Sequence, residues 1–540
     1  MVSNKWSVVS GRHSVVLIVF AAVIGVAVYL GWARLAGVWG FALDDAWIHQ
    51  TYARNLANTG QFEFVPGQPS SGSTSGTWTL LIAVGYLARV DYKWWTYLLG
   101  TICLAMTALG VWALTYLLFP ERPRTALAAG IFCALEWHLI WSAVSGMETV
   151  LFTALSLWLM IQINLPKFKT QNQGDDLATG IWCGVLVLTR PEGLLLVGLV
   201  LLAQIGLRGW TRRATWASIV WTVIGIAVPM VPWIAFNWLT SGTPFPNTFY
   251  AKQHEYAELL AAISFPVRFV QVFAQPFIGA QFLLLLGLLA VDSFPQRFRQ
   301  MFEPPFIVPL VLLRPLVLLL RVLLRVLLAA VWSLVRRIRQ PETWPKLVPL
   351  VWAIAHLATY ALRLPVVYQH GRYEIPVIPV LIVLGMGGTA MLLRLSDTRM
   401  WARVLSRAAA LSIAITLLAF VAIGARAYAT DVSIIEGEMV SVARWLDAHA
   451  APGDLIAAHD IGAIGYFTRR PLLDLAGLVS PEVIPFLRDE ARLGALMRQR
   501  DAVYFVTFPK GYLRLTESLG DVVFEGNSPA LEHLTVYRLP

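Results

Sequence analysis

From Ser14 to Trp32 the chain carries no charged residue, a run about long enough to cross the hydrocarbon core of a bilayer as a helix. That feature removes most soluble folds from consideration. Apolar runs of similar character recur along most of the sequence. With 57% hydrophobic and 14% charged residues and a mean hydropathy of +0.64, the chain is too apolar for a soluble globule. It reads as an integral membrane protein. A secretory signal would have a shorter apolar region and a small-residue cleavage site, and neither is present, so the first helix is expected to stay.

The formal net charge of +10 could suggest nucleic acid. The cations argue otherwise: Lys5, Arg12, Arg208, Arg212, Arg213, Arg297, Arg299, Arg399 and Arg403 sit in short loops or tails beside apolar runs, the positive-inside pattern. Membrane lipids are the expected partner, and nucleic acid is not. Cys103, Cys133 and Cys183 all fall inside apolar segments, where a thiol behaves as a small hydrophobe, so no disulfide framework or cysteine metal site follows.

Placing Lys5 and Arg12 in the cytoplasm sends the first helix outward and makes residues 37–76 a first outer loop. Thr77 to Ala88 is too short to cross and reads as a juxtamembrane helix. Further apolar runs bring three more segments to the outer face: Ser145-Gly-Met-Glu-Thr149, Pro244-Phe-Pro-Asn-Thr-Phe-Tyr-Ala-Lys252 and the loop Pro365 to Tyr373. Length and charge together predict about eleven spans. Between Arg314 and Arg339, Arg314, Arg321, Arg325, Arg336 and Arg339 share one helical face, roughly 60° wide at about 100° per residue. That stripe reads as a helix lying in the cytoplasmic interface; the rival is a span whose stripe faces protein or water.

The last span delivers Thr430 to Pro540 to the outside. An amphipathic helix near Val440 to Ala450 precedes strand-like Asp454 to Ala458, a helix over Ile461 to Phe467, and strand-like Pro471 to Leu475, Ala502 to Thr507 and Leu534 to Arg538. The expected fold is therefore an all-α polytopic membrane domain over 1–429 with a C-terminal extracytoplasmic α/β domain over 430–540.

The chemistry-bearing residues gather on the outer side. Asp44 and Asp45 follow the first span, and two adjacent carboxylates raise one another's pKa, so the pair reads as functional as well as a cap for the helix over Ala46 to Ala57. One carboxylate suffices to activate a hydroxyl as a base. His49 lies one turn beyond Asp45, and the serine-rich Pro69 to Gly76 beside it reads as a substrate-lining loop. Glu148 arrives on the same face, although it also fits as a cap for the next helix. Glu136 and His138 suit either a functional role at membrane depth or a mutual hydrogen bond. Arg190 and Glu192 read as a salt bridge. Lys252 and Arg372, with His370 nearby, stand where a lipid-linked phosphate would present its charge, since guanidinium matches phosphate oxygens and ammonium offers a compact charge.

Read in order, Asp44-Asp-Ala-Trp-Ile-His-Gln-Thr-Tyr-Ala-Arg-Asn-Leu-Ala57, Ser70-Ser-Gly-Ser-Thr-Ser-Gly-Thr-Trp78, Ser145-Gly-Met-Glu-Thr149, Arg190-Pro-Glu-Gly193, Pro246-Asn-Thr-Phe-Tyr-Ala-Lys252, Arg372-Tyr373 and Asp460-Ile-Gly-Ala-Ile-Gly465 resemble polytopic GT-C fold glycosyltransferases. The resemblance is to the mycobacterial terminal arabinofuranosyltransferases and to the protein mannosyltransferase and aminoarabinose transferase group. It implies an inverting transfer of a sugar, such as arabinofuranose or a hexose, from a polyprenyl-phosphate donor at the outer face of the cytoplasmic membrane. The implied acceptor is a cell-envelope glycan, lipid or protein. By position it implies an aspartate base at Asp44 or Asp45, a second acidic residue at Glu148, and donor-phosphate binding by Arg372, Lys252, His370 and Arg54. The substrate-lining set it suggests is His49, Tyr52, Ser73, Thr74, Asn247 and Tyr250.

Where relatives often carry Glu-Gly-Tyr-Thr-Asn this chain has Ser71-Gly-Ser-Thr-Ser75, so neither sugar nor acceptor follows from the resemblance. No cofactor follows with certainty from the sequence; a divalent cation is possible, since it would suit carboxylates at a phosphate site, yet no spacing demands one. The rival classes are a transporter or flippase for lipid-linked glycans and a non-catalytic cell-envelope assembly protein. The first would place ionisable groups near the midplane of several spans and show repeat symmetry, and neither is evident. The glycines of the tail lack the Gly-x-Gly-x-x-Gly spacing of a nucleotide site, and the tail is expected to bind or position the acceptor.

Overall fold

The computed structural model describes residues 8–170, 172–290, 340–394, 400–518 and 520–540. The arginine-striped stretch, with Lys5, Arg297, Arg299 and Arg399, lies outside the described residues. Helices α1 (Val8–Leu35) and α2 (Asp45–Thr59) flank the acidic pair. A two-stranded hairpin, β1 (Glu63–Val65) with β2 (Gln68–Pro69), leads to the short apolar α3 (Gly76–Leu87) and the long α4 (Tyr92–Leu118). There follow α5 (Pro123–Ala134), α6 (Trp137–Val144), α7 (Thr149–Asn164), α8 (Gln173–Thr189), α9 (Gly193–Arg208) and α10 (Arg213–Ser241). The short α11 (Asn247–Glu255), α12 (Ala257–Ala262), α13 (Phe265–Ala274) and α14 (Leu285–Ala290) precede α15 (Trp344–Arg363), α16 (Ile378–Arg394) and α17 (Met400–Ile435).

Among the described residues six helices are long and apolar enough to cross a membrane, or seven if the bent pair α5 and α6 is one span. Of the eleven spans expected, those over α7, α8 and α9, with 16, 17 and 16 residues, are shorter than the roughly 20 that crossing takes, and the stretch 291–339 lies outside the described residues. The 48° bend between α5 and α6 has a local cause. Glu136 turns its carboxylate back to accept from Leu139 N at 2.9 Å and from His138 Nδ1 at 2.8 Å, starting a new helix inside an apolar run. This is the mutual bond that the sequence offered as one of two readings.

Helices α8 and α10 approach backbone to backbone. A Cβ on Gly180 would lie 2.0 Å from Thr222 O, and one on Gly225 would lie 2.2 Å from Leu177 O. Small residues let apolar helices approach this closely, so dispersion contacts replace a hydrophobic drive that lipid does not supply.

Beyond α17, a π-helical turn over Glu436–Val440 leads into α18 (Ser441–His449) and a five-stranded sheet. Its elements are β3 (Leu455–Ala458), α19 (Gly462–Thr468), β4 (Leu472–Asp474), α20 (Glu490–Gln499), β5 (Ala502–Thr507), α21 (Leu513–Ser518), β6 (Asp521–Glu525) and β7 (Thr535–Arg538). The order is β4-β3-β5-β7-β6, with β3 parallel to β4 and β5 and the remaining pairs antiparallel. Both faces of the parallel centre are covered, which is why β3 and β5 read as apolar runs. Glu438 holds the entry to β7, accepting from Leu534 N at 2.7 Å and His533 Nδ1 at 2.9 Å.

This C-terminal region rests on α2 through α19. The indole of Trp47 packs against the rings of Tyr466 and Phe467 at 4.9 and 5.0 Å, and the Tyr86 hydroxyl donates to that of Tyr466 at 3.1 Å. Gly462 is required here: a Cβ would lie 2.1 Å from Asp44 O.

Candidate active site

A cavity of about 790 Å³ opens beside the start of α2. Asp45 and His49 reach it from successive turns of α2, Glu148 from the start of α7, and Arg190 from the α8–α9 turn. Lys252 reaches it from α11, and Arg372 from the loop before α16. Chain segments far apart in sequence thus converge on one space.

At one end, Arg372 Nη2 lies 2.7 Å from Asp45 Oδ2 and Lys252 Nζ lies 4.0 Å from it. Both cations also donate to the Tyr373 hydroxyl at 2.9 Å. Burial pushes the Asp45 carboxyl up, but the Arg372 guanidinium and then Lys252 outweigh it and hold the group well below the usual carboxylate range. For Lys252, burial opposes the charge, and Tyr373 and Asp45 overcome it and raise the pKa. The Arg372 guanidinium is buried with Nε and Nη1 unpartnered. Orphaned donors on a buried cation are costly without an acceptor, and the cavity is where one could enter.

At the other end, Glu148 Oε2 lies 3.2 Å from His49 Nε2 and Oε1 lies 3.4 Å from Arg190 Nη1. The imidazole's Nδ1 meets Ser73 Oγ at 3.3 Å and Thr79 Oγ1 at 3.5 Å. Burial raises the Glu148 pKa, yet the His49 hydrogen bond and Arg190 bring it down to about 2. Arg190 Nε also pairs with Glu192 Oε2 at 3.5 Å, and Glu192 accepts from the Tyr360 hydroxyl. The salt bridge read from sequence is therefore present, and both its members line the cavity.

The adjacent aspartates have separated. The Asp44 carboxylate accepts from Gly462 N at 2.7 Å and Ala463 N at 2.9 Å, capping α19 and making no cap bond to α2. Burial and the neighbouring Asp460 carboxylate lift its pKa to about 7 against those two N–H bonds. Asp44 lines a smaller cavity of about 190 Å³ that shares Asp45, Lys252 and Arg372 with the larger one and is also lined by His459 and Asp460.

Of the other residues singled out from sequence, Thr74 lines the larger cavity. Ser73 stands behind it on His49. Tyr52 bonds Ser70 Oγ at 2.7 Å and accepts from Gly72 N at 2.9 Å, and Asn247 N donates to Ser71 O at 3.0 Å, so both hold the serine-rich loop in place without lining the cavity. Tyr250 is outside the lining, edge-on to Phe249. Arg54 is turned away towards Tyr466 O and Asn55, and His370 towards Asp431, so neither reaches the cavity. His356, Tyr360 and Thr248 were not singled out from sequence. The first two sit inside an apolar helix, where only the side chain's facing distinguishes a cavity wall from a core position.

Asp45 already faces two positive side chains, and among the described residues no group of three or more His, Cys, Asp or Glu could hold a metal ion.

The fold recurs in solved structures. ArnT from Cupriavidus metallidurans bound to undecaprenyl phosphate superposes with a TM-score of 0.55 at 16% identity, covering 97% of each chain. The Archaeoglobus fulgidus oligosaccharyltransferase AglB, solved with an inhibitory peptide and a dolichol-phosphate, gives 0.55 at 12% identity over 98% of this chain and 74% of that one. A further Archaeoglobus fulgidus oligosaccharyltransferase structure, a complex with zinc and sulfate, gives 0.56 at 13% identity over 96% of this chain and 72% of that one. The fold of this chain is that of the GT-C glycosyltransferases. Residues 426–537 match a domain of unknown function, DUF8728. No curated protein matches the chain in sequence.

Proposed function

We propose that the chain is a membrane glycosyltransferase that takes a sugar from a polyprenyl-phosphate donor and transfers it to an acceptor hydroxyl at the extracytoplasmic face. One observation carries the reading: a buried arginine with two idle donors stands against a carboxylate inside a cavity. The likeness in fold to a protein solved with undecaprenyl phosphate supports the same donor class.

The residues divide the work. Arg372 and Lys252 take the donor phosphate, and the apolar Leu194, Leu195, Phe245 and Phe249 suit its prenyl chain. As the cations turn to the phosphate, Asp45 loses the charges that depress its basicity and becomes a better base at the moment the donor is in place. The acceptor hydroxyl attacks the anomeric carbon in line with the departing phosphate, giving inversion. The new bond is carbon to acceptor oxygen, the broken one is carbon to phosphate oxygen, and the hydroxyl proton passes to Asp45. Arg372 and Lys252 stabilise the charge that the phosphate gains.

Glu148, oriented by His49 and Arg190, faces the sugar. The smaller cavity, walled partly by His459 and Asp460, suits the acceptor and gives the C-terminal region its part in the reaction. A cell-envelope glycan, lipid or protein would present such a hydroxyl.

The test is transfer from a radiolabelled polyprenyl-phosphate sugar by the full chain in nanodiscs. Product formation that disappears with Asp45→Asn and survives with Asp44→Asn is expected. Full activity of Asp45→Asn overturns the reading.

A further inference from the structure

Immediately before Arg372 the backbone passes through three consecutive left-handed residues, Gln369, His370 and Gly371, at φ of +54°, +57° and +61°. Glycine adopts this region freely. A glutamine and a histidine hold it only where their surroundings over-determine it.

Those surroundings are specific. Asp431 Oδ2, on the long helix α17, accepts from His370 Nε2 at 2.8 Å and from Trp141 Nε1 on α6, also at 2.8 Å. The His370 ring stands edge-on to Trp141 at 5.0 Å and to Trp137 at 5.4 Å. The next residue, Gly371, has no room for a side chain, since a Cβ would lie 2.8 Å from Gln275 Cβ. The turn is thus clamped on the side away from the cavity, and the residue that follows it is Arg372. A flexible side chain that keeps Nε and Nη1 unpartnered in a buried place needs a fixed Cα, or it would swing to other acceptors.

We propose that Asp431 and Trp141 are positioning residues: through His370 they hold the left-handed turn that aims Arg372 at the phosphate of the lipid donor. The proposal rests on Arg372 being the phosphate ligand. His370 then serves that ligand from behind and does not touch the phosphate itself.

Undecaprenyl phosphate is the probe, titrated against the full chain in nanodiscs. Asp431→Leu, which removes the acceptor, is expected to weaken binding about tenfold, with Asp431→Asn recovering part of the loss through its remaining carbonyl oxygen. In the Arg372→Gln background Asp431→Leu is expected to add nothing, whereas a merely structural role would cost the same in both backgrounds. Trp141→Phe keeps an aromatic ring but removes the N–H together with part of the indole's bulk; it gives a second route to the same loss should Asp431→Leu fail to fold. If Arg372→Gln weakens binding while Asp431→Leu and Trp141→Phe do not, or if the losses simply add, the positioning role is overturned and the phosphate reading stands. Unchanged binding in Arg372→Gln overturns both.

Discussion

Asp44 and Asp45 are neighbours in sequence whose carboxylates serve different parts of the molecule. Asp44 accepts two backbone N–H bonds from Gly462 and Ala463, while Asp45 faces Arg372 at 2.7 Å inside the cavity. Starting a helix at this point turns successive side chains about 100° apart, which sends one towards the C-terminal region and the other towards the cations.

This division predicts unequal variants. Asp45→Asn keeps the shape and removes the base, so kcat should fall by about 10²- to 10⁴-fold while donor binding persists. Asp44→Asn should keep most of the activity. Steady-state kinetics on both variants check this, and equal losses would contradict it.

Asp44 also gives a pH dependence with a definite sign. Its pKa is about 7 in the folded chain against 3.8 for the free side chain, so the carboxylate binds its proton more tightly when folded. The cost of ionising it is absent below 3.8, grows between 3.8 and 7, and is fully present above 7. Asp44→Asn removes that cost while its carbonyl oxygen still accepts one of the two N–H bonds. The melting temperature of the variant minus that of the wild type should therefore rise from pH 5 to pH 8.

Glu148 has the opposite sign. Its pKa falls from 4.5 to about 2, so its stabilising contribution is complete above 4.5 and disappears as pH drops through 2. The carboxylate is 2% exposed and answers both His49 and Arg190. Glu148→Ala leaves Arg190 with a poorer set of partners and should cost about 3 kcal/mol or more. Chemical denaturation at pH 7 measures that loss, and it should shrink as the pH approaches 2.

Much of this was legible in the sequence, for reasons that particular residues make plain. Asp45, Glu148, Lys252 and Arg372 stood out because charge at the end of an apolar run is expensive, and charge asymmetry among loops placed them on one face. The strands β3, β4, β5 and β7 were visible as short apolar runs between turn residues. β6 was not, because Asp521-Val-Val-Phe-Glu525 is an exposed edge strand without inward alternation. The split of the aspartate pair was hidden: the partner of Asp44 lies more than four hundred residues away, and no local pattern records it. His370 was misplaced for a related reason. Its composition suits phosphate, but a left-handed backbone turns it to Asp431.

The contact between Asp44 and α19 brings the C-terminal region up to the candidate site, and Gly462 tests its proposed part there most directly. An alanine there would drive its Cβ to 2.1 Å from Asp44 O, so the two backbones must separate. The larger cavity draws only Leu478 from the C-terminal region, whereas the smaller one depends on His459, Asp460 and Ile461 beside Gly462. Gly462→Ala should therefore leave the affinity for undecaprenyl phosphate nearly unchanged while raising KM for the acceptor several-fold, about what a shift of 1 kcal/mol gives. Equal losses on donor and acceptor would mean that the C-terminal region supports the fold as a whole and forms no wall of an acceptor cavity.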